Sequence, residues 1–535
     1  MTTGTRPVAD STPAQLRFPP AAGFTVRADF TGGEVSSDLG ALVLSAVDAR
    51  IGLIERLTQA IRDSRDPRYI THSLRDLLTQ RVFQMASGYE DGNDANALRH
   101  DPLFKLAAGR APLDADTALA CGATHSRLEG SLRRSDIYRL ARALVEQFIA
   151  GYEHAPCSIT LDMDHTDDAT YGQQALSFYN HHYGHHCYLP LLVFEAHSGA
   201  LVTAVLRPGK TPCGAENAMI MKRVLDLLRR HWPTTHILLR GDGHFSNPEL
   251  MALILADGNA DFIFGLTGNK VLTRRAEGLM TNVRGHLALY QTLAARGLGP
   301  KVAAVRHFGE FDYQAASWPQ AFRVVLKAEV LAGCGVTLPK DNQRYVVTTL
   351  RAPSPRTLYQ QEYCARGQAE NLIKQVKCDL KSDRTSAGSF LANFGRLLLT
   401  AGAYVLHQQL RHLGLQGTPL ATAQPRTVAH AVQDRRPGQT VQGSGAIASA
   451  QRLSGQGSAG ARLSAPLLTE PGAAHAPFPM TRPVWPTRSC LPPSPSTTTQ
   501  ASPHQRGKGE LSLEIEKISA ERWMRLFTKF MQHPG

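Results

Sequence analysis

The feature that most constrains this chain is a Tyr-x2-Arg-x3-Glu-x6-Lys pattern, formed by Tyr363, Arg366, Glu370 and Lys377. At about 100° of turn per residue, this spacing places all four side chains in one stripe of a helix. A single carboxylate between two cations suits a site where metal ions meet phosphates. The same spacing also fits a solvated charged face, and two upstream motifs are needed to choose between these interpretations.

Both upstream motifs place an aspartate on or after a predicted strand. Around the first, apolar and polar residues alternate over 158–164, so Asp162 and Asp164 share one face of the strand. The second, Asp242, stands between two glycines after the apolar run 237–239. An aspartate where a buried strand opens into a Gly-rich turn is well placed to bind a ligand at the carboxyl end of a sheet.

Asp164, Asp242 and Glu370 together form a plausible donor set for hard cations. Carboxylate oxygens suit Mg²⁺ or Mn²⁺, and two such ions about 3.5–4 Å apart activate a water and stabilise the leaving oxygen of a phosphodiester. The three motifs therefore predict a two-metal site, provided that the fold brings them together.

These motifs resemble those of the DDE transposases of bacterial insertion sequences. The Tyr-Arg-Glu-Lys pattern resembles the signature of the insertion-sequence 1380-like group at every position, and 161–166 and 241–245 resemble its two aspartate regions. The resemblance covers about residues 20 to 425. It implies an α/β fold, with a ribonuclease-H-like catalytic core, a β-rich insertion, a helical N-terminal region and a disordered C-terminal tail.

The resemblance also implies roles for individual residues. Asp164, Asp242 and Glu370 would be the catalytic ligands of two Mg²⁺ or Mn²⁺ ions. Asp164 is preferred to Asp162 because its Asp-x-Thr context matches the family better, which leaves Asp162 as a supporting or alternative ligand.

Further residues are expected at the DNA. Arg366 and Lys377 would hold its backbone, and Tyr363 would pack against or hydrogen-bond the terminal nucleotides. For Trp318 two interpretations remain open, stacking on a flipped base and burial in the core.

The chain divides into a core and flanking regions by pattern and resemblance. The expected regions are a flexible N-terminus (1–25), a helical region that binds DNA ends (26–152), the catalytic core (153–270 and 340–412), the β-rich insertion (271–339), a low-complexity disordered tail (413–510) and a short helix (511–532). The tail is rich in Gly, Ser and Pro and lacks the family's usual ending, so we expect a shift of reading frame near residue 427.

Composition agrees with a nucleic-acid partner. The 535-residue chain has a formal net charge of +13, which suits a polyanion. The expected partners are double-stranded DNA, as terminal inverted repeats and target, and a second copy of the chain on the DNA ends.

Eight scattered cysteines without a CxxC pair argue against a zinc ribbon and fit a reducing cytosol. No signal peptide or membrane-spanning run is evident, so we expect a bacterial cytoplasmic, nucleoid-associated protein.

Two other segments could bind metal. The histidine-rich run 180–187 is either a zinc site or a loop bordering the DNA. The acidic, Gly-rich run 88–94 is either a metal site or a capped connection between helices.

The function expected from the sequence is DNA transposition: cleavage of insertion-sequence ends and joining of the 3′ hydroxyl to target DNA. Two alternatives remain, a metal-dependent nuclease of the same fold and an inactive remnant that only binds DNA.

Overall fold

The computed structural model of the chain describes residues 15–17, 27–29, 38–112, 114–332 and 338–433. Most of the expected flexible N-terminus, the tail beyond 433 and the whole of the expected helix 511–532 lie outside the described residues.

Helices dominate the described residues before 151. A short antiparallel ribbon precedes them, made of β1 (Gln15–Arg17) and β2 (Arg27–Asp29). The helices are α1 (Leu39–Ile51), α2 (Leu53–Ala60), α3 (Leu74–Ala86), α4 (Asp94–Leu98), α5 (Pro102–Ala107), α6 (Gly122–Ser131) and α7 (Arg134–Ala150).

The acidic run 88–94 lies between α3 and α4. The backbone N–H of Asp91 donates to the Asp94 carboxylate at 3.1 Å, and that of Asn93 donates to the Asp91 carboxylate at 2.9 Å. The buried Arg81 guanidinium donates to the carbonyls of Glu90 and Asp91. These bonds cap a helix connection, as one of the two interpretations of the run expects.

The strands after residue 157 form an eight-stranded mixed sheet and a three-stranded sheet. They are β3 (Ser158–His165), β4 (Asp168–Ala169), β5 (Phe178–Asn180), β6 (His185–Tyr188), β7 (Leu191–Glu195), β8 (Leu201–Val205), β9 (His236–Gly241), β10 (Ala260–Leu266), β11 (Ala304–Tyr313), β12 (Phe322–Leu331) and β13 (Lys340–Thr348).

The large sheet has the strand order β11-β12-β13-β10-β9-β3-β7-β8. Strands β3, β7 and β8 form an antiparallel meander, whereas β9 and β10 run parallel to β3. Parallel neighbours need crossovers, which helices α8 (Gly214–His231) and α9 (Pro248–Asp257) supply. This arrangement confirms the predicted α/β class.

The segment expected as a β-rich insertion begins with a long helix. Helix α10 (Lys270–Ala295) buries Ala276, Met280 and Val283 in the hydrophobic core that includes β12. Strands β11 and β12 follow as an antiparallel pair that extends the main sheet beside β13. The two strands therefore continue the core sheet.

The segment that carries the Tyr-Arg-Glu-Lys pattern is an irregular helix. It starts with α11 (Pro355–Thr357), which is followed by a π-helical turn (Leu358–Tyr363) and a 3₁₀ turn (Cys364–Arg366). It continues as α12 (Gly367–Lys374) and ends in a second π-helical turn (Gln375–Asp379). Two π-turns rotate the side-chain stripe away from that of a regular helix, and such turns are frequent at functional sites.

Helix α13 (Phe390–Gly414) is buried almost along its whole length and packs against α3, α7 and β8. A helix that is covered on all sides belongs to the core, here the layer that joins the N-terminal helices to the sheet. A 3₁₀ turn (Pro419–Thr422) and α14 (Pro425–Gln433) follow. Helical structure thus occupies the first part of the segment 413–510, for which the composition predicts disorder.

Among the described residues, no helix is both long enough and apolar enough to cross a membrane. Of the cysteines in the described part of the chain, five are free thiols and Cys157 is disulfide-bonded. The free thiols are Cys121, Cys187, Cys213, Cys364 and Cys378.

Candidate functional site

Two of the predicted carboxylates lie side by side at the carboxyl ends of neighbouring parallel strands. The register of β3 and β9 pairs Met163 with Gly241, one residue before Asp164 and Asp242 respectively. Burial raises the pKa of Asp164 to about 6, and the nearby charge of Asp242 adds to this increase while Arg366 opposes it. Parallel pairing therefore brings two distant motifs into one electrostatic site.

Asp242 is held by His244. Its carboxylate accepts one bond from the backbone N–H of His244 at 3.0 Å and another from ring Nδ1 at 2.8 Å. Burial alone would raise the pKa of Asp242, but the bonds and charge of His244 outweigh it and lower the pKa. The same contact raises the pKa of His244. Asp242 is thus kept ionised and fixed in orientation.

Arg366 connects the third carboxylate to the first. Its Nη1 donates to Asp164 Oδ2 at 2.8 Å, and Nη2 lies 3.5 Å from Glu370 Oε1. Only 15% of the Arg366 side chain is exposed, against 56% for Glu370. Helix α12 packs against β3 and β7, which places Glu370 on the same side of the sheet as Asp164.

Tyr363 lies over the end of β10. A Cβ atom on Gly265 would be 2.7 Å from the Tyr363 hydroxyl, so glycine is required there for the ring to approach the strand. Burial raises the pKa of Tyr363, and the charge of Asp242 contributes to the increase. Three residues of the pattern, Tyr363, Arg366 and Glu370, therefore border the two aspartates.

Lys377 lies at a different edge of this site. Its Nζ donates to Asp167 Oδ1 at 2.7 Å, and Asp167 Oδ2 is 3.1 Å from His185 Nε2. Asp167 thus joins the end of the patterned helix to the histidine-rich hairpin of β5 and β6.

Asp162 belongs to a structural ion pair. Both of its carboxylate oxygens accept from Arg240, at 2.7 and 2.8 Å, and both side chains are buried. Arg240 also donates to the carbonyl of Glu362 at 2.7 Å. Because one guanidinium engages both oxygens, the arrangement favours Asp164 over Asp162 as a candidate ligand.

Trp318 is a core residue in this structure. It is 6% exposed and packs edge-on against Tyr313 and Phe322, with ring centroids 5.4 and 5.6 Å away. Of the two interpretations of this residue, the structure favours burial in the core over stacking on a flipped base.

The donor chemistry at the site fits a hard divalent cation, since Asp164, Asp242 and Glu370 offer carboxylate oxygens. Within the part of the chain that the structure describes, however, no three His, Cys, Asp or Glu side chains are close enough together to hold a metal ion. The guanidinium of Arg366 stands between two of the carboxylates. The histidine-rich hairpin likewise contains no such cluster among its described residues.

Comparison with known proteins decides the family. Residues 18–432 match the family model of the transposase DDE domain, group 1. The chain belongs to the DDE transposase family. The transposase match includes both aspartate motifs and the patterned helix, and it ends one residue before the last described helix ends. The narrower insertion-sequence 1380-like grouping stays a prediction.

Two further comparisons concern the transposase chain as a whole. No curated protein matches it. Among solved structures it is similar to a piggyBac transposase synaptic complex with hairpin DNA, at 9% sequence identity and a TM-score of 0.37, covering 74% of this chain and 79% of that chain.

Three residues near the site were absent from the sequence prediction: Asp167, His244 and Arg240. His244 and Asp167 follow predicted aspartates by two and three residues, so their proximity was readable from the sequence. The partners of Arg240 and Asp167 were not readable, because Arg240 meets Asp162 through strand pairing and Asp167 meets Lys377 through helix packing.

Proposed function

We propose that this transposase-family chain cleaves the ends of an insertion sequence and joins the freed 3′ hydroxyl to target DNA. The observation that carries the proposal is the placement of Asp164 beside Asp242, with Arg366 linking Asp164 to Glu370. We also infer a ribonuclease-H-like core. The order β8-β7-β3-β9-β10, with three antiparallel strands followed by two parallel ones, supports it.

Asp164, Asp242 and Glu370 would hold two Mg²⁺ or Mn²⁺ ions. Bound there, the ions would supply Lewis acidity for the attacking and leaving oxygens. His244 keeps the Asp242 carboxylate oriented and ionised for that purpose. Arg366, which now bridges two carboxylates, would turn to a DNA phosphate, where its planar donors suit a bidentate contact.

The proposed reaction has two steps, cleavage at the element boundary and joining to the target. In the first, a water oxygen attacks phosphorus at the element boundary and gives up a proton, the P–O3′ bond breaks, and the departing 3′ oxygen takes up a proton, which leaves a 3′ hydroxyl and a 5′ phosphate. In the second, this 3′ hydroxyl attacks a target phosphate in line and its proton passes to solvent, the target's P–O3′ bond breaks, and the leaving 3′ oxygen takes up a proton. Tyr363 would contact the terminal nucleotide, and Lys377, held by Asp167, would contact the backbone.

We further propose that two copies act on the two DNA ends and that they do so in the bacterial cytoplasm, at the nucleoid. The net charge of +13 supports a polyanionic partner.

The test uses purified full-length protein, Mg²⁺ and labelled DNA that carries the flanks of its own gene. We expect cleavage at the boundary by wild type. Asp242→Asn and Glu370→Gln should each reduce cleavage by about a hundredfold or more, because each removes a carboxylate ligand, while DNA binding in a gel-shift assay is retained.

The alternatives give different results. Cleavage without joining to a supplied target plasmid would support a nuclease. Binding without cleavage by wild type would support an inactive remnant. Undiminished cleavage in either variant would refute the proposed ligands.

A further inference from the structure

The histidine-rich hairpin has one face that contacts the protein and one that faces solvent. On the inner face, Asn180 Nδ2 donates to the carbonyl of Gly209 at 3.0 Å, and His185 contacts Asp167. Lys210 Nζ lies 4.4 Å from the centre of the Phe178 ring. These contacts fix the hairpin to the core, so that its outer face is presented on a rigid support.

The outer face carries a cluster of aromatic rings. Tyr179 is paired with His186 across β5 and β6 and is 50% exposed. Its ring centre is 5.6 Å from that of His186 and 5.2 Å from that of His181, both in edge-on geometry, and both histidines are exposed. In edge-on contacts each ring keeps a face open to another planar group.

The hairpin is continuous with the candidate site. Its turn residue Tyr183 is near the carboxylates: burial raises its pKa to about 12, and the charges of Asp167, Asp164 and Asp242 add to the increase. Asp167 joins the hairpin to Lys377. DNA bound at the carboxylates would therefore pass along this hairpin.

The charge of the segment suits DNA. Residues 169–194 contain no Asp or Glu, so no acidic side chain within this stretch repels a phosphate. Successive bases stack on exposed aromatic rings in proteins that bind unpaired DNA, and each stacked base contributes substantially to affinity. Trp318, for which stacking on a base was one of two interpretations, is buried. The exposed rings of Tyr179, His181 and His186 form a different surface with the chemistry for that contact.

We propose that the outer face of the β5–β6 hairpin, centred on Tyr179 and His186, is a stacking platform for unpaired bases at the DNA end. The inference rests on the proposed transposase function and says which part of the DNA, the unpaired terminal bases, binds this surface. The hairpin holds splayed terminal bases while the adjoining phosphodiester lies at the carboxylates.

The experiment measures binding of full-length protein to two duplexes that carry the gene's own flank. One is fully paired, and the other has three unpaired terminal nucleotides, one of them 2-aminopurine. Tyr179→Ala is compared with Tyr179→Phe, which keeps the ring, and with Tyr290→Ala, which removes an exposed tyrosine from helix α10.

We expect wild type, Tyr179→Phe and Tyr290→Ala to quench the 2-aminopurine and to prefer the unpaired end. Tyr179→Ala should bind that end about tenfold more weakly and lose the quenching, with little change on the paired duplex. Equal quenching and affinity in Tyr179→Ala would overturn the platform. If wild type cleaves normally and Tyr179→Ala binds and quenches as wild type does, the platform alone is refuted. If wild type neither binds nor cleaves DNA, the proposed function is refuted together with the platform.

Discussion

Asp162 and Asp164 point to the same face of β3, yet they meet different partners. Asp162 and Arg240 are both nearly inaccessible and bind each other through two hydrogen bonds. Asp164 meets Arg366, which also reaches Glu370 and comes from a partly exposed helix. Asp162 therefore forms an ion pair between two strands, whereas Asp164, two residues later on the same face, is a candidate metal ligand.

This difference predicts opposite effects of two conservative substitutions. Asp162→Asn should lower the free energy of unfolding by about 3–5 kcal/mol, because it leaves the buried Arg240 charge without its counter-ion. Asp164→Asn should change stability by only about 1 kcal/mol, because Arg366 is partly exposed and keeps Glu370 nearby, but it should abolish cleavage. Urea denaturation and DNA cleavage of both variants check this. A larger loss of stability in Asp164→Asn than in Asp162→Asn would contradict the assignment.

The junction of α1 and α2 shows how a buried carboxylate joins two elements. Gly52 separates the helices with a φ of +67°, a conformation that costs glycine little. Asp48, in the last turn of α1, accepts a hydrogen bond from the backbone N–H of Ile54 at 2.8 Å. Burial raises the pKa of Asp48 from 3.8 to about 6 against the effect of that bond.

The raised pKa predicts a pH-dependent stability. Because the folded state binds the Asp48 proton more tightly than the unfolded chain does, this contribution is complete below pH 3.8 and is lost as pH rises through about 6. Asp48→Asn keeps a neutral acceptor. At pH 8 we expect the variant to be more stable than wild type by on the order of 3 kcal/mol, and we expect the gap to close towards pH 4. Denaturation curves at several pH values measure the gap, and a constant gap would exclude Asp48 as its source.

At the scale of the whole molecule, the packed structure extends to the last described helix. Leu420 and Val428 are buried in the same hydrophobic cluster as α1 and α13. The family match ends at residue 432, near the position where the composition of the chain changes. We propose that the sequence beyond this region results from a shift of reading frame. A nucleotide sequence without a family-like ending in either alternative frame would contradict that proposal.

Truncation tests where the working molecule ends. A chain that stops after Gln433 should keep the thermal stability and the cleavage activity of the full chain, because it retains the cluster around α13. A matched chain that stops after Thr418 loses the burial of Leu420 and Val428 and should be less stable by about 2–5 kcal/mol. Loss of cleavage by the longer truncation would show that residues beyond 433 contribute to function.

Much of the fold was readable from local pattern. Alternating polarity predicted β3, and the apolar run before Asp242 predicted β9, since strands carry a period of two or a short apolar run. Helix α10 was also readable, because Leu272, Ala276 and Met280 recur at helical spacing. The resemblance implied a β-rich insertion over the same residues, so this helix was not predicted.

By itself, the sequence determined the family, the order of the motifs and the chemical character of the candidate ligands, because these depend on residue type and local spacing. Tertiary structure alone decided which aspartate pairs with Arg240, that Trp318 is buried and that Lys377 meets Asp167. Each of these results depends on which strands pair and which helix covers them. Contacts between residues far apart in the chain are set by the packing of the whole sheet, and a local pattern carries no record of them.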